Sequence, residues 1–314
     1  MLLYTFLTKR CVDKSRMKSL NNEEFCTFGG RYMIQLAHIK KDYPTIQLDC
    51  SLEVSEGQVV GLIGDKDSGK TTLIKILLNL LHKDNGEYLV LGHDKLSIAD
   101  KQDIGAVIGQ ASFSEYLRIK DIIPVMAKLY HSFQKQEFKE VCLKYGLPIK
   151  KQIRTLSLED QTLLHLLLAL SHQPKLLVLD GLFDEIKPSQ RDKLLKIIMD
   201  YHQQNPQPAI LFTARDIENL EEFCDEMYVL DQGKTVYNEL IEVMKSDYGI
   251  LKMDDNQFLT IDKRYIKKVK KERYGYSCLT QYRQFYEQRY HETMIIEQGT
   301  IHQYIKMMKE GEDL

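Results

Sequence analysis

An α/β fold with a largely parallel core sheet follows from three features of this 314-residue sequence. Short apolar runs of strand length alternate with segments of helical periodicity from about residue 33 onward. A glycine-bearing stretch, Gly64-Asp65-Lys66-Asp67-Ser68-Gly69-Lys70-Thr71-Thr72, separates one such run from a helical segment. A later run, Leu176-Leu177-Val178-Leu179, ends in a carboxylate, Asp180.

Residues 1 to 32 lack periodicity and read as a polar, cysteine-bearing N-terminal extension. A second account is open. Codons for Gly29-Gly30 could serve as a ribosome-binding sequence, which would make Met33 the true start. From Met33 the chain alternates apolar and polar residues through Ile39, as a first strand does. Thr45 to Val54 alternates in the same way, and Glu56-Gly57 turns the chain into Val59-Val60-Gly61-Leu62-Ile63, a short buried strand. Thr72 to Leu81 reads as a helix. Glu87 to Leu91 and Ile104 to Ile108 are further strands. Lys120 to Phe133, Gln136 to Tyr145 and Leu158 to Ser171 read as helices, Leu176 to Asp180 as a buried strand, and Gln190 to Gln204 as a helix. Ala209 to Thr213 is a strand, Glu218 to Cys224 a helix, and Met227 to Leu230 a strand that turns at Asp231-Gln232-Gly233-Lys234 into Thr235-Val236-Tyr237. This divides the chain into an extension (1–32), a main domain (33–245) and a small C-terminal accessory or dimerisation region (246–314).

The hydrophobic fraction of 43% can fill a core, and a net charge of −2 gives no argument for nucleic acid. Six scattered cysteines without a C-x-x-C pair suggest a reducing compartment and no zinc site. The N-terminus reads without a secretory signal, and polar residues interrupt every apolar stretch well short of a membrane span. Membrane association would come through a partner or a surface patch.

Gly64 to Thr71 reads G-x-x-x-x-G-K-T, the phosphate-binding loop, in the strand-to-helix setting that it needs. Glycines let the backbone wrap around phosphate oxygens, and the helix start attracts anions. Lys70 would reach the β- and γ-phosphates, and the Thr71 hydroxyl would ligate Mg²⁺. A bare tight turn would not explain Gly-Lys-Thr at the helix mouth. Asp180, after four apolar residues, fits the carboxylate that such sites place on a neighbouring strand; an N-cap or turn aspartate is the blander account.

With these blocks in place, residues 33 to 240 resemble the ATP-binding subunit of an ABC transporter. Tyr43 stands where the family has an aromatic that stacks on adenine, and Gln110 follows the Ile104 strand as the Q-loop glutamine does. Leu156-Ser157-Leu158-Glu159 occupies the signature position, and Pro174 to Asp180 the Walker B strand. The resemblance implies a P-loop NTPase of ABC type: a parallel core sheet, an antiparallel β subdomain, a helical signature subdomain and a small C-terminal region. It implies ATP held by Tyr43, Gly64, Asp65, Lys66, Asp67, Ser68, Gly69, Lys70, Thr71, Thr72, Gln110 and Asp180, with Mg²⁺ at Thr71, Gln110 and Asp180. It implies a homodimer or heterodimer with another such subunit, docked on a membrane permease at the cytoplasmic face of the cell membrane.

Departures from the family pattern fall at the hydrolytic and cross-subunit positions. Gly181 stands where the family has its water-polarising glutamate, and Arg215 where it has the switch histidine. Lys187 takes the D-loop aspartate position. Leu158 and Glu159 take those of the signature glycines, and Asp67 that of a loop glycine. No catalytic position is intact. Asp184 and Glu185 lie near Gly181 in sequence, and the loop would have to turn them inward to substitute.

In the C-terminal region the basic residues Lys263, Arg264, Lys267, Lys268, Lys270, Lys271 and Arg273 read first as a solvated surface or hairpin, and otherwise as a contact for anionic lipid or a membrane partner. Tyr274 to Tyr290 is aromatic-rich and reads as packing against the main domain. Thr300 to Glu310 reads as a terminal helix with Ile301, Tyr304, Ile305 and Met308 on one face, resembling the last helix of exporter subunits. The function that the resemblance implies is an exporter-like ATP-binding subunit that couples nucleotide binding, and slow or partner-assisted hydrolysis, to a separate membrane permease. The alternative is a non-hydrolysing nucleotide-gated scaffold. A nucleic-acid ATPase would need helicase motifs that are absent.

Overall fold

The computed structural model describes residues 32–43, 47–109, 113–184, 186–204, 208–217 and 220–314. The extension up to Arg31, the Thr45-Ile46 start of the second strand, Gln110 and Glu185 lie outside them.

The chain enters as β1 (Tyr32–Asp42), β2 (Gln47–Ser55) and β3 (Val59–Ile63), then α1 (Lys70–Leu77), β4 (Asn85–Val90), α2 (Ile98–Gln102) and β5 (Ile104–Ile108). Three helices follow, α3 (Ile119–Leu129), α4 (Lys135–Lys144) and α5 (Leu158–Leu170). Next come β6 (Leu176–Asp180), α6 (Pro188–Gln204), β7 (Ala209–Ala214), β8 (Glu226–Asp231), β9 (Lys234–Leu240) and α7 (Ile241–Asp247). The C-terminal part comprises β10 (Gly249–Met253), α8 (Asp255–Thr260), β11 (Ile266–Glu272), β12 (Gly275–Thr280), α9 (Arg283–Tyr290), β13 (Ile295–Glu297) and α10 (Ile301–Glu310).

A nine-stranded sheet runs β4-β1-β2-β9-β8-β3-β7-β6-β5. β3 lies parallel between β7 and β8, and β6 parallel between β7 and β5. The β1 pairings with β2 and β4 are antiparallel, as is β8 with β9. The parallel strands are largely apolar because both faces are covered, with Asp180 and Thr213 as polar residues near the carboxyl ends of β6 and β7. Val59, Ile63, Leu177, Leu179, Ile210 and Phe212 point into one core beneath α3 to α6. Their neighbours Val60, Leu62, Leu176, Val178 and Leu211 point into the other, with α1 and the antiparallel strands. Successive side chains of a strand alternate faces, so each strand stitches both cores.

A separate antiparallel sheet runs β11-β12-β10-β13 and packs Leu251, Val269, Cys278 and the fully buried Tyr286 of α9 into a small core of its own. Lys267, Lys268, Lys270 and Lys271 of the basic run lie on β11 of the β11–β12 hairpin, with Ile266 and Val269 buried beside them. Ile301, Tyr304, Ile305 and Met307 of α10 join the first core beside Tyr248 and Ile217. Met308 is half-buried against the same core, and Met307 is buried beside it.

Of the helix expected over Glu218 to Cys224, Glu218 and Asn219 lie outside the described residues, and Leu220 to Phe223 form turns. The Leu220 N–H donates to Ile217 O at 2.7 Å and the Phe223 N–H to Leu220 O at 3.0 Å. Buried Leu220 and Phe223 thus repeat at the three-residue spacing of successive turns, which mimics helical periodicity. The helix expected over Lys120 to Phe133 ends at Leu129, where Tyr130 turns extended and Phe133 enters the core.

Candidate functional site

The carboxyl ends of β3, β6 and β7 converge on a cavity of about 410 Å³, lined among others by Lys70, Thr71, Asp180, Gly181, Asp184 and Arg215. Ligands of open α/β sheets bind at such strand ends. The loop between β3 and α1 builds one wall. Gly69 is the N-cap of α1 with φ of 105°, and a Cβ there would lie 2.8 Å from Leu48 Cδ1, so only glycine fits. Asp67 also sits in the left-handed region, with φ of 64°. Aspartate tolerates this better than most side chains, which is how the loop keeps its path without a glycine there.

Ser68 is buried in the loop, and its carbonyl accepts from Gly233 N–H at 3.0 Å, tying the loop to the β8–β9 turn. Lys70 is 8% exposed. Its ammonium donates to Gly64 O at 2.5 Å, to Asp65 O at 2.7 Å and to Ser68 Oγ at 3.2 Å. Burial pushes its pKa below the ordinary lysine value, and the Asp184, Asp180 and Asp65 carboxylates pull it back up. Lys66, Asp67 and Thr71 are exposed on the rim of the cavity, whereas Thr72 is half-buried outside its lining.

Asp180 is 5% exposed and accepts from Thr213 Oγ1 at 2.7 Å. The same hydroxyl oxygen accepts from Gly181 N–H at 2.8 Å. Thr213 therefore fixes both the carboxylate and the turn that follows it. Gly181 has φ of 69°, a left-handed backbone. Behind it Phe183 points into the core, 1% exposed, and packs edge-on against Phe212. Asp184 consequently turns into the cavity. Its Oδ1 accepts from Arg215 N–H at 3.0 Å, and its Oδ2 lies 3.6 Å from Arg215 Nε. The carboxylate that was expected to need a loop movement is already inside.

The signature segment opens α5. Leu156 is buried, and Ser157 caps the helix by accepting from Asp160 N–H at 3.1 Å. Leu158 reaches the cavity lining with Gln161, Thr162 and the buried His165. Glu159 pairs with Lys187 at 3.4 Å, both side chains exposed. Tyr43 is 38% exposed at the end of β1 and outside the cavity lining, with Lys41 Nζ 6.0 Å above its ring. Asp184, which the sequence offered only as an acid needing to turn inward, lines the cavity with Thr213 and His165, and Lys309 pairs with Asp65 at 2.9 Å. The first carried a signal, as an acid within four residues of Asp180; the others carried none.

Residues 48–183 match the family model described as ABC transporter. An ABC transporter ATP-binding domain spans this segment. Its relatives include the ABC transporter ATP-binding protein YtrB of Bacillus subtilis (strain 168), 26% identical over 70% of this chain and 76% of that protein. The linearmycin resistance ATP-binding protein LnrL of the same organism is 28% identical over 65% of this chain and 68% of its own length. In fold, the ABC domain is similar to the cassette MJ0796 in its dimeric, post-hydrolysis state bound to ADP and Pi, with a TM-score of 0.59 at 19% identity, over 67% of this chain and 99% of that one. The β3 loop, α1 and β6 all lie within the matched segment, while β10 to β13 and α10 lie beyond it.

Proposed function

We propose that the protein is the ATP-binding subunit of an ABC transporter, in which the cavity above β3, β6 and β7 captures a nucleotide triphosphate. The observation that carries this reading is the convergence of Lys70, Thr71 and Asp180 on one cavity at the mouth of α1. Loop N–H groups and the helix start face the phosphates, and Lys70 exchanges its carbonyl partners for phosphate oxygens. Mg²⁺ suits the donors present. The Thr71 hydroxyl and the Asp180 carboxylate are hard oxygen ligands, and magnesium takes few protein ligands beside phosphate and water. Among the described residues no group of His, Cys, Asp and Glu is dense enough to hold a metal without the phosphates. Bound there, the ion would neutralise phosphate charge. Gln110 joins this set by family analogy alone.

Hydrolysis by one copy is slow. Gly181 brings no carboxylate to the position where the family polarises its water, and Asp184 is committed to Arg215. A positioned base contributes about a hundred- to ten-thousandfold. Two subunits, alike or different, close face to face on ATP, and a separate permease anchors them at the cytoplasmic side of the membrane. The dimeric solved relative and the family's partnership with permeases support this arrangement. No helix among the described residues is long and apolar enough to cross a membrane.

Titration calorimetry with Mg·ATP tests the reading. Lys70→Ala should lose binding by at least about tenfold, since a charge-assisted phosphate contact contributes about 1.5–3 kcal/mol. Wild-type protein that fails to bind ATP, or a Lys70→Ala variant that binds as well, would refute it.

A further inference from the structure

We propose that Lys309 of the last helix is a positioning residue of the nucleotide site, acting through Asp65. The proposal rests on the nucleotide-binding reading above. A phosphate loop gains from positive potential, and Asp65 opposes it from inside the loop. Lys309 Nζ lies 2.9 Å from Asp65 Oδ2, across 244 residues of sequence. Its side chain is only 18% exposed, against 71% for Asp65. After burial and the opposing Asp184, Asp180 and Asp65 carboxylates, the Lys309 charge is the smallest of these influences on Lys70, in the lowering direction.

Most surface ion pairs contribute little, because two flexible side chains must be ordered to form them. Here the helix that carries Lys309 is fixed along its length. Thr300 and Gln303 form a capping box at its start. Ile301, Tyr304, Ile305 and Met307 are buried in the main core, and the Tyr304 hydroxyl donates to Tyr248 O at 3.1 Å. Past its end, Glu312 and Val269 exchange backbone hydrogen bonds of 2.9 and 2.8 Å. His302, at the other end of α10, pairs with Asp216 at 2.8 Å, beside Arg215 of the cavity wall. The accessory region thus reaches two loops that border the nucleotide site. Its specific contribution is to neutralise the carboxylate that the phosphate loop carries.

Mg·ATP affinity of the full-length chain in 0.1 M salt, measured by calorimetry, tests this. Lys309→Gln should weaken binding about three- to tenfold, the screened effect of one uncovered carboxylate on a bound polyanion. Lys309→Arg should keep wild-type affinity. In an Asp65→Asn background, adding Lys309→Gln should change affinity by less than about twofold, and the wild-type-background loss should shrink at 1 M salt. Thermal unfolding of each variant separates these effects from loss of fold. Equal loss in both backgrounds, or no loss in either, overturns the coupling through Asp65. Wild-type protein that binds no ATP overturns the nucleotide reading itself, so the two failures are distinct.

Discussion

Restoring the family's glutamate at position 181 should destabilise this protein without making it a fast ATPase. Gly181 has φ of 69°, and a side chain in the left-handed region costs about 1–2 kcal/mol. Space is not the obstacle, because the nearest atom to a Cβ there is Asp184 Oδ2 at 3.8 Å. That neighbour is nonetheless a carboxylate. Two such charges about 5 Å apart at the edge of solvent, with an effective dielectric of roughly 60, repel by about 1 kcal/mol. Gly181→Glu should therefore lose about 2–3 kcal/mol in urea unfolding. Its turnover should rise by less than about tenfold, because a left-handed backbone does not aim the new carboxylate as the family's does. Gly181→Glu with Asp184→Asn should recover about 1 kcal/mol of the loss. If Gly181→Glu alone kept wild-type stability and raised turnover about a hundredfold, the backbone at this turn would not be the constraint described here.

Burial also makes stability depend on pH. His165 and His172 are both held below the ordinary value of 6.5, chiefly by burial. A depressed folded-state value means that the unfolded chain takes up protons first on acidification. Stability is therefore full above about 6.5 and falls as pH drops through that value toward the folded-state pKa values; thermal unfolding at pH 7.5 and 5.5 reads the slope, and a midpoint that rises on acidification would contradict it. Phe183→Ala should lose about 3–5 kcal/mol in urea unfolding, because the ring is 1% exposed and packs against Phe212 and Phe223. A loss below about 1 kcal/mol would mean that the turn does not depend on this anchor.

The strand, loop and helix around Gly64 to Thr72 were legible because local signals agreed: an apolar run, a glycine path and a helix start. The Asp180 strand was legible for the same reason. What stayed hidden depends on distance or on turn geometry. Thr213 reaches Asp180 only because β7 lies beside β6, and no local pattern encodes that pairing. Asp184 looked outward-bound in sequence, yet Phe183 takes the core position and leaves Asp184 facing the cavity. Lys309 sits beyond any window that periodicity can read. The turns at Leu220 to Phe223 show the converse error, in which buried residues at turn spacing imitate a helical face.

The departures from the family pattern look different once their partners are known. Taken singly, Glu159, Lys187 and Arg215 read as losses. In the structure Glu159 meets Lys187, Asp184 meets Arg215, and Asp65 meets Lys309. The Glu159–Lys187 pair is largely solvent-exposed, so its contribution to stability is small. Its effect is on the field instead: a negative charge added at the signature helix is cancelled by a positive one added beside α6. The Asp184–Arg215 pair acts likewise next to Asp180, with Asp184 only 16% exposed and Arg215 closing the wall. Unrelated losses would leave unbalanced charge around a site built for a polyanion. Pairwise balance keeps added negative charge from opposing a polyanion at this site, which fits the proposed reading of a subunit that holds nucleotide and turns it over slowly.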